Sequence, residues 1–186
     1  RSIYGSTVTV VGMGDIGSNF GRRLKAMGAT VRGVRRTVRE KPDWADQVFP
    51  AERLNEALAG ADVVALCLPG TEGTRSLLGQ AQFDAMAPGT YVINVGRGTA
   101  IDQQALDRAL RSGRLAGAAL DVATPEPLPQ DHFLWDTPNL LLTPHVSGNM
   151  SLPRTCELVI EIFLRNLAHW EKGEPLEQQV DRAQGY

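Results

Sequence analysis

Three residues with reactive side chains stand at or just beyond the ends of apolar, strand-like runs. Arg97 follows the run 90–95, Asp121 lies near the end of the run 115–122, and His145 follows the run 139–143. An arginine binds anions, a histidine donates a proton near neutral pH, and a carboxylate can hold a histidine in place. These are the side-chain types that a hydride-transfer site needs.

A glycine-rich turn near the start of the chain predicts a dinucleotide phosphate site. The strand-like run 7–11 leads directly into Gly12-x-Gly14-x-x-Gly17, and residues 15–27 have a helical pattern. Gly12 makes a tight turn, Gly14 lets the backbone approach a pyrophosphate, and Gly17 lets the helix lie close to the strand. The helix N-terminus adds backbone N–H donors and a positive dipole end. A loop that merely turns is the alternative, but a second strand at 30–34 favours the dinucleotide site.

The next turn is basic and bears on the choice of cofactor. Arg35, Arg36 and Thr37 follow the second strand, where this kind of fold contacts the adenosine ribose. No Asp or Glu lies between Asp15 and Glu40 to accept hydrogen bonds from a ribose 2′-hydroxyl. The arginines therefore favour NADP over NAD, and an ordinary surface turn is the alternative.

Strand and helix patterns alternate along the chain at short spacing. We predict strands at 7–11, 30–34, 62–68, 90–95, 115–122 and 139–143, and helices at 15–27, 51–59, 79–86, 102–111 and 152–170. Prolines make 123–138 a loop, and 174–186 is predicted to be an extended tail. The fold class is α/β, a Rossmann-type doubly wound parallel sheet with its ligand at the carboxyl ends of the strands.

Composition excludes several classes of function. The chain has 186 residues, of which 42% are hydrophobic, and a net charge of −2, so we expect no nucleic-acid partner. Its apolar runs are too short to span a bilayer, and we predict no membrane partner and a cytoplasmic location. Cys67 and Cys156 have no metal-binding spacing around them and are interpreted as core thiols, so no metal is expected.

Four motifs in order resemble the signature set of the D-isomer-specific 2-hydroxyacid dehydrogenases. They are Gly12 to Gly17, Asn94-Val95-Gly96-Arg97-Gly98, Ala119-Leu120-Asp121-Val122 with Glu126-Pro127-Leu128-Pro129, and Thr143-Pro144-His145. The ending Gly173-Glu174-Pro175-Leu176 is also similar to that family's carboxyl terminus. The resemblance covers essentially the whole chain.

This resemblance implies an NAD(P)-dependent dehydrogenase that interconverts 2-keto and D-2-hydroxy acids. Arg97 would bind the carboxylate and carbonyl oxygen of the 2-keto acid, and His145 would protonate that oxygen. Glu126 would pair with His145, because a neighbouring carboxylate favours the protonated ring. Asp121 would contact the nicotinamide carboxamide. The expected cofactor contacts are Gly12, Gly14, Asp15, Ile16, Gly17, Arg35, Arg36, Thr37, Leu68, Pro69, Thr74, Val95, Gly96, Arg97, Asp121, His145 and Gly148.

The chain departs from the family pattern in two ways. Ala123, Asn149 and Met150 differ from the usual residues near the substrate, so the sequence does not identify the 2-keto acid. Family members also begin with a substrate domain of about a hundred residues, a usual domain size. We therefore predict a cofactor domain at 1–150, a helix and tail at 151–186 and a missing N-terminal substrate domain. The family resemblance alone implies a homodimer of the full-length enzyme.

Two other classes of function remain possible at this point. The first is a nucleotide-sensing binding module, as in the co-repressors that resemble this family. The second is a methyltransferase that uses the glycine-rich turn for another nucleotide, which Gly17 and Arg97 disfavour.

Overall fold

The computed structural model describes residues 2–37, 40–148 and 153–182. Those residues form two compact units, residues 1–144 and residues 145–186. Asn149, Met150, the predicted helix start at 152 and the final positions 183–186 lie outside the described residues, as does part of the basic turn at 38–39.

The first unit is a seven-stranded sheet in the order β3-β2-β1-β4-β5-β6-β7, with every neighbouring pair parallel. This confirms the predicted Rossmann-type α/β fold, because the order reverses at β1. The strands are β1 Thr7–Val11, β2 Thr30–Arg35, β3 Gln47–Pro50, β4 Val63–Leu66, β5 Thr90–Asn94, β6 Leu115–Leu120 and β7 Leu140–Leu142. The helices of this unit are α1 Asp15–Ala26, α2 Leu54–Leu58, α3 Gln80–Ala85 and α4 Gln103–Arg111.

Strand β3 is absent from the sequence prediction. It has only four residues, lies at the edge of the sheet and ends in Pro50, so its pattern is too short to recognise. Asp46, just before it, accepts hydrogen bonds from the Val31 backbone N–H at 2.8 Å and from Lys25 at 2.5 Å. The bond from Lys25, with that from Val31, holds the pKa of the Asp46 carboxyl below its usual range. This carboxylate aligns β3 with β2.

Two apolar clusters cover the two faces of the sheet. Val8 and Val10 belong to one cluster with Leu24 of α1, whereas Val11 belongs to the other cluster, which includes residues of α2, α3 and α4. This division follows from the alternation of side chains along a strand. The leucines that α2 and α4 place four residues apart are buried in this core: Leu54, Leu58, Leu106 and Leu110.

Helix α1 packs through its small residues. Gly17, Gly21 and Leu24 are its buried positions, and a Cβ added at Gly21 would lie 2.4 Å from the ring of Trp44. Ile16, which shares the apolar spacing used to predict the helix, is 61% exposed. At Gly17 the helix lies too close to the turn after β1 for a side chain, and at Gly21 it lies too close to Trp44, whereas the larger Leu24 is accommodated.

The predicted glycine turn has the geometry that its sequence requires. Gly12 has a φ of +102°, a conformation that favours glycine, and its N–H donates to the Val34 carbonyl at 2.9 Å. A Cβ added at Gly17 would lie 1.9 Å from the Gly12 carbonyl oxygen. Gly14 differs, since a Cβ added there meets no atom within 4 Å.

The second unit contains helix α5, Pro153–Lys172, and a segment that returns along it. The segment after Gly173, predicted to be an extended tail, is irregular in its described part and packs along α5. Glu177 donates its N–H to Asn166 at 2.7 Å and forms an ion pair with Arg165 at 3.0 Å. These bonds hold the segment against the helix. None of the helices in the described parts of the chain is long and apolar enough to cross a bilayer.

Substituting the third glycine of the turn tests this account of the fold. Gly17→Ala forces a methyl group against backbone, so we expect a loss of about 1–3 kcal/mol in the free energy of unfolding, roughly 3–10 °C in melting temperature. Gly14→Ala is the matched control, because its methyl group meets open space and only a helix N-cap changes. Equal melting temperatures for the two variants would contradict the close contact. Thermal denaturation by circular dichroism measures both.

Candidate active site

The predicted site residues of the first unit lie along one edge of the sheet. Because all the strands are parallel, the loops that follow β1, β2, β4, β5 and β6 leave from the same carboxyl edge. The structure thus places at this edge Gly12, Gly14, Asp15, Ile16, Gly17, Arg35, Arg36, Thr37, Leu68, Pro69, Thr74, Val95, Gly96, Arg97, Asp121 and Glu126.

Glycines allow neighbouring loops at this edge to touch through their backbones. A Cβ added at Gly12 would lie 2.4 Å from the Cys67 carbonyl oxygen, and one at Gly96 would lie 2.6 Å from that of Leu68. A Cβ at Gly98 would lie 2.0 Å from the Ala123 carbonyl oxygen. These contacts join the loops after β1, β4, β5 and β6 in their order across the sheet.

The loop that carries Arg97 is held by a buried amide. Asn94, the last residue of β5, is fully buried, accepts from the Gly96 N–H at 3.0 Å and donates to the Arg97 carbonyl at 3.0 Å. The Arg97 side chain is exposed, donates to the Gly96 carbonyl at 2.7 Å, and lies over Gly70. Sequence analysis quoted Asn94 only as part of a motif and missed this role, because the bonds depend on the turn that follows.

Arg97 and Glu126 line one cleft of about 440 Å³. The loops after β4, β5 and β6 form its walls. The Glu126 carboxylate accepts from the Ala123 N–H at 2.7 Å, so the loop after β6 orients it. The cleft therefore combines a guanidinium that can bind an anion with a carboxylate that can hold a proton donor.

An ion pair between Arg75 and Glu72, which the sequence did not predict, also lines this cleft. Arg75 donates to Glu72 at 3.0 Å, and both residues line the cleft. The hydrogen bond from Arg75 lowers the pKa of the Glu72 carboxyl, although both side chains are exposed. The spacing of three residues was the available signal, and such pairs are common on protein surfaces.

Thr74, predicted to bind the cofactor, uses its hydroxyl within its own loop. The hydroxyl donates to the Pro69 carbonyl at 2.8 Å and accepts from the Thr71 N–H at 2.9 Å. These bonds close the turn after β4, where Leu68 and Pro69 are half-buried. Thr74 thus shapes the surface that Leu68 and Pro69 present.

The two arginines of the basic turn, Arg35 and Arg36, lie in different environments. Arg35, the last residue of β2, donates through Nη2 to the Glu40 carbonyl at 2.7 Å. Its Nε–H is buried and has no hydrogen-bond partner among the described residues. Arg36 and Thr37 are exposed. Arg35 is therefore partly engaged by the loop, whereas Arg36 faces solvent.

Asp121 is the most buried of the predicted acidic residues, with 6% exposure. Its carboxylate accepts from the Thr143 hydroxyl at 2.5 Å, which ties the end of β6 to the residue after β7. The carboxylate is thus held in one orientation at the carboxyl edge of the sheet.

His145 and Gly148 belong to the second unit, whereas Arg97 and Glu126 belong to the first. His145 is exposed and has a φ of +55°, a conformation uncommon for residues other than glycine. Its pairing with Glu126 stays a prediction.

The carboxyl edge fits a dinucleotide. Gly14 is exposed at the start of the twelve-residue helix α1 with open space above it, and Gly12 and Gly17 bring that helix close to β1. Backbone N–H groups at such a helix start bind pyrophosphate. Among the described residues, no group of three or more His, Cys, Asp or Glu side chains could hold a metal ion. Burial raises the pKa of the Cys67 thiol to about 11, so this thiol stays protonated at neutral pH.

Residues 1–147 match the family model of the D-isomer-specific 2-hydroxyacid dehydrogenase NAD-binding domain. The chain belongs to this family. A 2-hydroxyacid dehydrogenase of Xanthobacter autotrophicus, solved with NADPH and MES, is 37% identical with a TM-score of 0.90, and the match covers 100% of this chain and 75% of that one. An NADPH-dependent glyoxylate/hydroxypyruvate reductase of Sinorhizobium meliloti, solved with NADP and sulfate, is 32% identical with a TM-score of 0.90. That match covers 100% of this chain and 58% of the reductase chain.

A curated family member of similar sequence is glyoxylate/hydroxypyruvate reductase A of Salmonella typhi. It is 35% identical over 180 residues, which are 97% of this chain and 56% of that protein. The chain thus spans little more than half the length of this relative.

Proposed function

We propose that this chain is the cofactor-binding part of an NAD(P)-dependent oxidoreductase that reduces 2-keto acids to D-2-hydroxy acids. The observation that carries the proposal is the cleft lined by both Arg97 and Glu126, on adjacent loops of a family member. A nucleotide-sensing module is not favoured, because the similar proteins are named as reductases and dehydrogenases.

Each residue of the site has one role in the proposed reaction. Arg97 binds the carboxylate of the 2-keto acid and its carbonyl oxygen, which orients C2 and stabilises negative charge that develops on that oxygen. His145 donates a proton to the oxygen. Glu126 holds the imidazole in place.

The cofactor site in this proposal is the carboxyl edge of the sheet. The glycine turn and the start of α1 hold the pyrophosphate, and Arg35, Arg36 and Thr37 contact the adenosine ribose. Leu68, Pro69, Val95, Gly96 and Asp121 contact the nicotinamide half. The cofactor, when bound, supplies the hydride to C2.

NADP is the proposed cofactor and a small 2-keto acid the proposed substrate. Two structural neighbours were solved with NADPH or NADP, and two similar proteins are named glyoxylate/hydroxypyruvate reductases. Arg35 and Arg36 support the same choice, since a guanidinium offers forked donors that match phosphate oxygens.

The proposal also includes an N-terminal substrate domain, with residues 1–150 and 151–186 as the cofactor domain and its carboxyl-terminal extension. The lengths of the relatives support it, because this chain matches 56% of the Salmonella reductase. A homodimer and a cytoplasmic location remain predictions of the sequence.

Removing the proposed acid tests the reaction in the complete protein. His145→Ala is expected to lower kcat for 2-keto acid reduction by about 10²–10⁴-fold, the usual contribution of a general acid, while nucleotide binding is retained. His169→Ala is the matched control, since His169 bonds the Pro175 carbonyl in the segment that follows α5. Turnover near that of the parent would exclude His145 as the acid.

Glu126→Gln tests the partner of the acid. The neutral amide keeps the shape of the side chain but removes the charge that holds the imidazole. We therefore expect kcat for 2-keto acid reduction to fall, but by less than the roughly 10²–10⁴-fold loss expected for His145→Ala. A kcat equal to that of the parent would contradict the proposed pair.

Cofactor choice is tested by reversing charge at the end of β2. The parent should prefer NADPH, and Arg35→Asp should shift the NADPH/NADH ratio of kcat/KM toward NADH by roughly 10- to 100-fold, since a bond to a charged group contributes about 1.5–3 kcal/mol. Added salt should reduce the preference. Arg22→Asp, an exposed position on α1, is the charge-matched control. A parent that already prefers NADH would show that the arginines are ordinary surface charges.

A further inference from the structure

One glutamine joins the start of helix α4 to the loop that carries Glu126. Gln103 is the first residue of α4, and its side-chain amide forms two hydrogen bonds with the backbone of Thr124. Its Nε2 donates to the Thr124 carbonyl at 2.6 Å, and its Oε1 accepts from the Thr124 N–H at 2.8 Å. We refer to these two bonds as the Gln103 clasp.

The clasp joins the segments that carry Arg97 and Glu126, two of the charged residues that line the cleft. The chain runs from Arg97 through a single 3₁₀ turn, Gly98–Ala100, to Gln103. Thr124 follows Ala123, whose N–H donates to the Glu126 carboxylate and whose carbonyl lies against Gly98. Gln103 therefore fixes the backbone at Thr124, inside the turn that is closed by the bond from Ala123 to Glu126.

The start of α4 is a firm anchor for this clasp. Asp102 caps the helix by accepting from the Gln104 and Ala105 N–H groups, each at 3.0 Å. Ala105 is fully buried in the core on that face of the sheet. The loop at 123–126, in contrast, has exposed residues at 124 and 126. The two bonds of the Gln103 clasp therefore restrict the motion of the loop at 123–126 by attaching it to the helix.

A glutamine suits this position because both a donor and an acceptor are needed. The Thr124 backbone offers one N–H and one carbonyl oxygen, and an amide pairs with both at once. A carboxylate at position 103 could accept from the N–H, but it would face the carbonyl oxygen with no proton to donate. With an apolar side chain at position 103, the Thr124 N–H and carbonyl oxygen could form hydrogen bonds only with water.

We propose that Gln103 is a positioning residue for the reaction, which holds the loop of Glu126 against the loop of Arg97. The inference rests on the proposed function for its catalytic consequence and on the clasp itself for its structural part. Gln103 acts through Thr124 and Ala123 and touches neither substrate nor cofactor in this proposal.

The experiment compares Gln103→Met and Gln103→Glu with the matched control Gln104→Met in the complete protein. Gln104 is the next residue of the same turn and is exposed. Amide hydrogen exchange at Thr124 reports the clasp without any need for activity. We expect exchange at least roughly tenfold faster in Gln103→Met, near-parent exchange in Gln103→Glu, and no change in Gln104→Met.

The kinetic readout separates positioning from general destabilisation. We expect Gln103→Met to lower kcat for 2-keto acid reduction roughly 10- to 100-fold with an unchanged KM for NADPH, as small misplacements do. Gln103→Glu should recover part of kcat, because it keeps the bond from the Thr124 N–H.

Three results would overturn the inference: unchanged exchange at Thr124 in Gln103→Met, faster exchange with parent kcat, or an equal loss of kcat in Gln104→Met. If the parent protein reduces no 2-keto acid, the proposed function is wrong and the positioning role fails with it. The exchange rates would still show whether Gln103 holds the loop.

Discussion

The candidate site depends on backbone contacts between successive loops at the carboxyl edge of the sheet. At Gly12, Gly96 and Gly98 the neighbouring carbonyl oxygen occupies space that a side chain would otherwise fill. A methyl group at any of these positions would push one loop away from the next. Glycines in the motifs are thus required by packing between loops as well as by any ligand.

These contacts explain how residues far apart in sequence form one cleft. Arg97 is placed by the Asn94 amide, and Glu126 is placed by its bond from the Ala123 N–H. The contact between Gly98 and Ala123 and the Gln103 clasp then join the two loops. Side chains therefore orient each loop internally, while backbone contacts and the Gln103 clasp hold the neighbouring loops together.

Much of the fold could be predicted from local patterns. The glycine turn, the alternation of strands with helices and the Asp102 cap each depend on a few consecutive residues, and the structure confirms them. Strand β3 could not be predicted, because four residues at a sheet edge leave almost no periodic signal. The exposure of Ile16 could not be predicted from the sequence either, since how closely α1 approaches the sheet depends on the packing of the whole fold.

The site was harder to predict than the fold for a physical reason. Residue type and position indicated Arg97, and the family resemblance indicated Glu126. The Asn94 bonds and the Gln103 clasp, however, join side chains to backbone groups that only the folded loops bring together. The bond from Arg35 to the Glu40 carbonyl is of the same kind. Such contacts have no fixed spacing in sequence.

The most direct test is the consumption of NADPH by the complete protein in the presence of a panel of 2-keto acids that includes glyoxylate and hydroxypyruvate. The proposed function predicts that the absorbance of reduced nicotinamide falls only when a 2-keto acid is present. Tight binding of NADPH with no consumption by any member of the panel would contradict it, and would instead favour a protein that senses nucleotides.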